Sequence, residues 1–186
     1  MGTIVGFSGS LRRGSYNTAL LRAAAALVPD GNRLDVHAIA GIPLYDGDEE
    51  SAHGIPPVAA ALKDAIAAAD GLLVCTPEYN NSIPGVAKNA IDWLSRPPDD
   101  IARVFGGKRV ALLGASPSGF GTILSQNAWL SVLRKLGARH WSGGTLMVSR
   151  ATQVFDENGA IRDEAISRQL GDFLRGYAAW IDGARR

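Results

Sequence analysis

Gly9-Ser10-Leu11-Arg12-Arg13-Gly14-Ser15-Tyr16-Asn17 is a loop of glycine, hydroxyl and arginine residues set between an apolar run and a long alanine-rich segment. The run before it, Thr3-Ile4-Val5-Gly6-Phe7-Ser8, is short, apolar and partly β-branched, as suits a strand buried on both faces of a parallel sheet. After it, Asn17 or Ser15 can N-cap a helix that runs to about Val28, where Pro29-Asp30-Gly31 stops it. A strand, a glycine-bearing turn and a helix start leave several backbone N–H groups aimed at one spot, which the helix dipole makes positive. Such a spot attracts an anion. Ser10, Ser15 and Asn17 add neutral donors, and Arg12 or Arg13 supplies a planar fork matched to phosphate oxygens. The loop lacks the lysine of G-x-x-x-x-G-K-[ST], and its glycines do not fall as G-x-G-x-x-G. Taken alone, it fits either a phosphate cradle or an ordinary βα turn with surface arginines.

Outward from this loop, residues 33–39 alternate polar and apolar side chains, which predicts a second strand nearer the sheet edge. Residues 41–50 carry Pro, Gly and acidic side chains and predict a loop. Pro56 or Pro57 then opens a helix that Asp70-Gly71 ends. Residues 71–76 are the most uniformly apolar run, hence a central strand, and residues 77–85 after them are a loop rich in hydrogen-bonding groups around Tyr79. A helix over 86–95, a strand over 108–115 and a loop over 116–121 follow. Next come a helix over 122–136 ended by Gly137, an irregular stretch over 141–144 and a short fifth strand over 145–148. A last helix, capped by Asp163, runs to about Ile181.

Five strands alternating with five helices predict a three-layer α/β/α sandwich with a five-stranded parallel sheet in the order 2-1-3-4-5. In that order the loops after strands one, three and four lie side by side beyond the carboxyl ends of the strands, where such sheets bind ligands. With no repeat, linker or low-complexity segment, residues 1–186 read as one domain.

Composition narrows the partners. Charged residues make up 20% and the formal net charge is +1, so no dominant field points to a nucleic acid or another polyanion. No basic and apolar leader opens the sequence and no apolar run reaches about 18 residues, which predicts a cytoplasmic protein without membrane insertion. Cys75 is the single cysteine and sits in an apolar strand, where a small buried hydrophobe is expected. His37, His53 and His140 show no metal-ligand spacing. Trp93, Trp129, Trp141 and Trp180 are expected in the core or an interface, and Asn89 and Asp92 are expected to face solvent or a neighbouring subunit.

The chain resembles the NAD(P)H-dependent FMN reductase family of flavodoxin-like proteins, especially its quinone and chromate reductase branch. The resemblance rests on G-S-L-R-x-G-S-x-N at residues 9–17, I-P-L-Y-D at 42–46, T-P-E-Y-N-x-S-x-P-G at 76–85 and K-N-A-I-D-W-L-S-R at 88–96. It implies FMN as cofactor, with NADPH or NADH as co-substrate. By the same resemblance Ser10, Arg12, Ser15 and Asn17 are ligands of the FMN phosphate, with Tyr16 beside them in the cofactor site. Pro77, Glu78, Tyr79 and Asn80 belong to the loop along the isoalloxazine ring, and Ser116 and Gly119 border the ribityl chain and ring. A homodimer or homotetramer is implied as well. One departure stands out: Leu124 occupies the position where that branch tends to carry an arginine.

The implied chemistry is transfer of two electrons from NAD(P)H through FMN to a quinone or similar acceptor, such as chromate, an azo compound or free flavin, in a ping-pong cycle. Solvent can protonate an open flavin, so no side chain is required as acid or base, and Glu78 reads as a carboxylate that fixes its loop through backbone donors or a nearby cation. Arg13 and Arg150 are candidates for a nucleotide 2′-phosphate. The rival from another class is an FMN electron carrier without turnover of its own, which a net charge of +1 disfavours. A response-regulator-like phosphate binder is excluded because residues 3–8 and 71–76 carry no carboxylate.

Overall fold

The computed structural model describes residues 2–183. Strand β1 (Gly2–Ser8) is followed by α1 (Tyr16–Leu27), β2 (Asn32–His37), α2 (Gly47–His53), α3 (Pro57–Ala68), β3 (Gly71–Cys75) and α4 (Gly85–Leu94). A 3-10 turn at Pro98–Asp100 and α5 (Ile101–Phe105) lead into β4 (Arg109–Ala115) and α6 (Ile123–Lys135). The chain closes with β5 (Arg139–His140), β6 (Leu146–Val148), α7 (Ala151–Val154) and α8 (Glu164–Asp182). Every strand pair is parallel, in the order β2-β1-β3-β4-β5 with β6 also on β4. The expected α/β architecture and strand order are therefore present.

Alternation along each strand sends side chains to two cores. Ile4, Leu73, Ala111 and Leu113 pack with Leu20, Leu21, Leu170 and Leu174 of α1 and α8. Val5, Phe7, Leu72, Val74, Val110 and Leu112 pack with residues of α3, α4 and α6, among them Leu62, Ile91 and Trp129. Each fully buried side chain of this size contributes roughly 1.5–3 kcal/mol. That outweighs the few tenths of a kcal/mol by which residues differ in helix or strand preference, up to about 0.7. The two apolar faces decide the fold.

Four features differ from the sequence expectation. The fifth strand position is split: Arg139 and His140 pair with Arg109 and Val110, whereas Leu146 to Val148 pair with Leu113 to Ala115. Between them the Trp141 N–H still donates to the Val110 carbonyl (2.8 Å) while its indole turns into the core, edge-on to Phe173 at 4.8 Å with Gly143 and Gly144 against it, and the chain leaves the ladder after Trp141. Residues 47–53, expected in a loop, form α2, because the Asp46 carboxylate accepts from the Asp48 N–H (2.8 Å) and Asp48, Glu49 and Glu50 oppose the helix dipole. Short helices α5 and α7 add to the five expected. Finally, Asn89 does not simply face solvent: it accepts from the Tyr45 N–H and donates to the Pro43 carbonyl (both 2.8 Å), and Trp93 donates to that same carbonyl (2.9 Å). Asp92 pairs with Lys88. Trp93, Trp129 and Trp141 are buried and Trp180 is half-buried, as expected.

At Gly114 the strand leaves no room for a side chain. A Cβ there would collide with Thr122 Oγ1 and with the Thr76 carbonyl oxygen, which is backbone and cannot step aside. Gly114→Ala is expected to lower stability by roughly 1–3 kcal/mol, read as a lower urea midpoint with unchanged slope; an unchanged midpoint would contradict this packing.

Candidate functional site

Beyond β1 the Gly9 N–H donates to the Cys75 carbonyl (2.9 Å), and a Cβ on Gly9 would sit 3.1 Å from both Pro77 and Ala87. The missing side chain lets the first loop pass close under the loop that follows β3. Ser15 then caps α1: its hydroxyl accepts from the Thr18 N–H (3.3 Å). Of the two candidate caps, Ser15 is the one used. The N–H groups of Tyr16 and Asn17, in the first turn of α1, have no intrahelical acceptor and lie at the positive end of the helix dipole. Arg12 sits beside them, 5.5 Å from the Tyr16 ring centroid, while Tyr16 stacks on Phe155 (5.6 Å). The Ser10 hydroxyl accepts from the Arg12 N–H (3.3 Å) and lies 3.4 Å from the Tyr79 hydroxyl.

Asn17 is buried, and its side chain has a different task from its backbone. Its Nδ2 donates to the Ala115 carbonyl (2.8 Å) and its Oδ1 accepts from the Ala115 N–H (2.9 Å). The Cys75 thiol approaches the same Oδ1 at 3.6 Å, and burial pushes that thiol far above its ordinary pKa, so it is an inert packing group. Asn17 therefore offers a ligand its N–H, not its amide.

The loop after β3 is built by two local devices. Asn80 and Asn81 take φ of 50° and 61°, and Tyr79 and Ser82 exchange both backbone bonds, which closes a two-residue turn with left-handed centres that asparagine tolerates. Glu78 accepts from the Leu124 and Ser125 N–H groups (2.8 and 3.1 Å), capping α6. That is the loop-fixing role expected of this carboxylate. It reaches position 124 through the backbone N–H, which any residue but proline presents, and the Leu124 side chain is exposed. Beneath the loop, the buried Thr76 hydroxyl accepts from Trp129 Nε1 (3.0 Å) and donates to the Pro77 carbonyl (2.9 Å). After β4, the Ser116 hydroxyl accepts from the Ser118 N–H (3.2 Å), and the Ser116 and Ser118 carbonyls accept from the Ala151 and Arg150 N–H groups.

These loops enclose a cleft of about 360 Å³ over the carboxyl ends of β1, β3 and β4. The first loop lines it with Ser10, Arg12, Ser15, Tyr16 and Asn17; the second with Pro77, Glu78 and Tyr79; the third with Ala115, Ser116 and Pro117. Ala115 and Pro117 were not singled out from the sequence, since small apolar residues after a strand carry no chemical signal. Asn80, at the tip of the hairpin turn, and Gly119, where an added Cβ would meet nothing, are not among the lining residues. Among the described residues Arg12 has no carboxylate partner, and no group of three His, Cys, Asp or Glu side chains could hold a metal ion. Uncommitted helix N–H groups, serine hydroxyls and a guanidinium form a donor set that fits a phosphate ester. The neighbouring wall of tyrosine and backbone fits the flat heterocycle such an ester would carry.

Sheet order and cleft together define a flavodoxin-like α/β domain with an open cleft at the sheet's switch point. The model of the NADPH-dependent FMN reductase family matches residues 3–153, and the chain belongs to that family. It is 42% identical to an NAD(P)H-dependent FMN reductase of Pseudomonas aeruginosa, over 96% of this chain and 94% of the relative. It is also 42% identical to a quinone reductase of Escherichia coli, with the same two coverages. Among solved structures, the flavoenzyme NAD(P)H:(acceptor) oxidoreductase FerB of Paracoccus denitrificans superposes with a TM-score of 0.87 at 30% identity, covering 98% of each chain.

Asn17→Ala removes the side-chain amide that meets the Ala115 N–H and carbonyl and leaves both groups without it. At roughly 1–3 kcal/mol for each of the two groups, a loss of about 2–6 kcal/mol is expected in urea unfolding, and a loss below about 0.5 kcal/mol would show that the amide does not clamp the site.

Proposed function

We propose that this protein is an FMN-dependent NAD(P)H oxidoreductase that delivers two electrons to quinones or similar acceptors. The observation that carries the reading is the convergence of three loops, each set by its own local bonds, on one cleft with an uncommitted Arg12 and free helix N–H groups. The quinone reductase and 2-hydroxy-1,4-benzoquinone reductase relatives, the latter from a Burkholderia species and 41% identical, support a quinone as acceptor.

When bound, FMN supplies the redox chemistry, taking two electrons from NAD(P)H and passing them on. The chain's own residues hold and orient it. Ser10, Arg12, Ser15 and the N–H groups of Tyr16 and Asn17 take the phosphate; Pro77, Glu78, Tyr79 and Asn80 set the loop beside the ring; Ser116 and Gly119 border it from the third loop. The Tyr79 and Ser118 N–H groups are taken by the Ser82 carbonyl and the Ser116 hydroxyl, so the other N–H groups of residues 78–80 and 118–120 are the ones that would favour negative charge on the ring's polar edge. No carboxylate or imidazole is committed as a proton donor. Nicotinamide and acceptor share one open side, so they enter in turn, a ping-pong order. We also place the protein in the cytoplasm as a single domain over residues 1–186. Among the described residues no helix is long and apolar enough to cross a membrane. The exposed Phe120, Ile123 and Leu124 near the cleft support a homodimer or homotetramer. A monomer by light scattering at micromolar concentration would remove the assembly.

After FMN loading and desalting, the flavin spectrum is expected to persist, to bleach with anaerobic NADPH and to return on adding a quinone. Retained flavin that neither NADPH nor NADH bleaches would make the protein a carrier instead. Arg12→Ala should weaken FMN binding by about tenfold or more, the loss of one charge-assisted contact of roughly 1.5–3 kcal/mol. Undiminished affinity would take Arg12 out of the site.

A further inference from the structure

The cofactor cleft is cationic at one end and carries no cation at the other. Arg12 stands at the first loop. The stretch that holds the second loop has one charged residue, Glu78, between Asp70 and Lys88, and the stretch that holds the third loop and most of α6 has none between Arg109 and Arg134. The Glu78 carboxylate already accepts from the Leu124 and Ser125 N–H groups (2.8 and 3.1 Å). These segments therefore offer an incoming molecule no positive side chain.

What they offer instead is apolar. Phe120 is 82% exposed, Leu124 44% and Ile123 39%, and Tyr79, next to Glu78 in the chain, 47%. The backbone beneath the first three is fixed. Gly121 and Thr122 are buried; Gly121, at a φ of 63°, leaves no room for a Cβ against Met147, and Thr122 Oγ1 accepts from Gln126 Nε2 (3.0 Å). Three large apolar side chains within five residues, held out by a rigid turn, exceed the singly scattered exposure of an ordinary surface. One bond joins this patch to the cleft, since Glu78 lines the cleft and accepts from the Leu124 N–H. An apolar group reaching out of the cleft would bury the patch, whereas an anion there would give up water for uncharged side chains and a carboxylate.

We infer that Phe120, Ile123 and Leu124 form an acceptor subsite that makes the protein prefer neutral quinones with an apolar substituent to anionic acceptors such as chromate. The inference rests on the oxidoreductase reading above and adds the acceptor's chemical class to it. The quinone ring enters the cleft beside Tyr79, and its substituent lies on Phe120 and Leu124. Binding then grows with the apolar area that the substituent covers. An anionic acceptor meets the Glu78 carboxylate with no cation of the second or third loop to offset it. Arg12 does not serve such an acceptor, because in the proposed site the phosphate of FMN takes that guanidinium. The same three side chains support the proposed assembly, so a second copy is the competing occupant of the patch.

The test uses full-length, FMN-loaded protein and two variants, Phe120→Ala and Leu124→Arg. Both side chains are exposed, and the N–H that Glu78 uses at position 124 is kept, so the fold survives either change. The parent is expected to turn over naphthoquinone at least about tenfold more efficiently, in kcat/KM, than naphthoquinone sulfonate. Leu124→Arg should shift that ratio toward the sulfonate by about fivefold or more, and the shift should shrink in high salt, as an interaction between charges must. Phe120→Ala should lower kcat/KM for a decyl-substituted benzoquinone at least about fivefold more than for unsubstituted benzoquinone. Calorimetry without nucleotide should show the decyl-substituted quinone binding the parent several times more tightly than Phe120→Ala. A parent that takes the sulfonate as well as the neutral quinone, or an unmoved ratio in Leu124→Arg, would overturn the subsite. Losses that appear only where light scattering shows the variant dissociating would assign the patch to contact between copies instead. If neither NADPH nor NADH bleaches retained flavin, the oxidoreductase reading fails and calorimetry alone decides: equal affinity in parent and Phe120→Ala overturns the subsite.

Discussion

The side-chain amide of Asn17 completes the sheet where a strand has ended. The last backbone bond from the β3 side to β4 is the Thr76 N–H on the Leu113 carbonyl. Two residues further on, Ala115 presents its N–H and carbonyl to the same side, because groups two apart on a strand point alike. No strand is left there to meet them, and the Asn17 amide takes both. One side chain thus ties the start of α1 to the end of β4. The free N–H groups of that helix and the Ser116 loop become parts of one rigid site, and an unpaired buried amide is the penalty if they separate.

The other supports follow the same economy. Each loop over the sheet ends borrows stability from an element it does not belong to. Glu78 leaves its own loop to cap α6, and Thr76, held by Trp129, places the Pro77 carbonyl. Gly9 removes the side chain that would hold the first and second loops apart. Backbone groups aimed at the cleft are therefore preorganised by contacts outside it, the condition under which fixed donors favour a bound anion most.

Much of this was legible in the residues themselves. Strand order came from four runs buried on both faces, and burial on both faces is what makes a run apolar without alternation. The candidate anion site was read from Gly9 to Asn17, because hydroxyl, glycine and arginine before a helix start have a local physical meaning, and the cleft found there is the one proposed for the phosphate. What stayed hidden depends on partners distant in sequence. Asn17 reads equally well as a cap, a ligand or a clamp until Ala115 is beside it, 98 residues away. Helix α2 buries no residue and so has no apolar period; Asp46 and its three following acids were its only mark. The split fifth strand follows Trp141, whose N–H stays on the Val110 carbonyl of β4 while its indole enters the core, and its sequence neighbours do not announce that.

Central to the account is the claim that the start of α1 is a phosphate cradle. The direct test is to compare the affinities of FMN and riboflavin by quenching of flavin fluorescence, since the two differ only in the phosphate. With two or more charge-assisted bonds of roughly 1.5–3 kcal/mol each at stake, riboflavin is predicted to bind at least about a hundredfold more weakly. Equal affinities would mean that the cleft holds the ring alone and that the N–H groups of Tyr16 and Asn17 serve no phosphate.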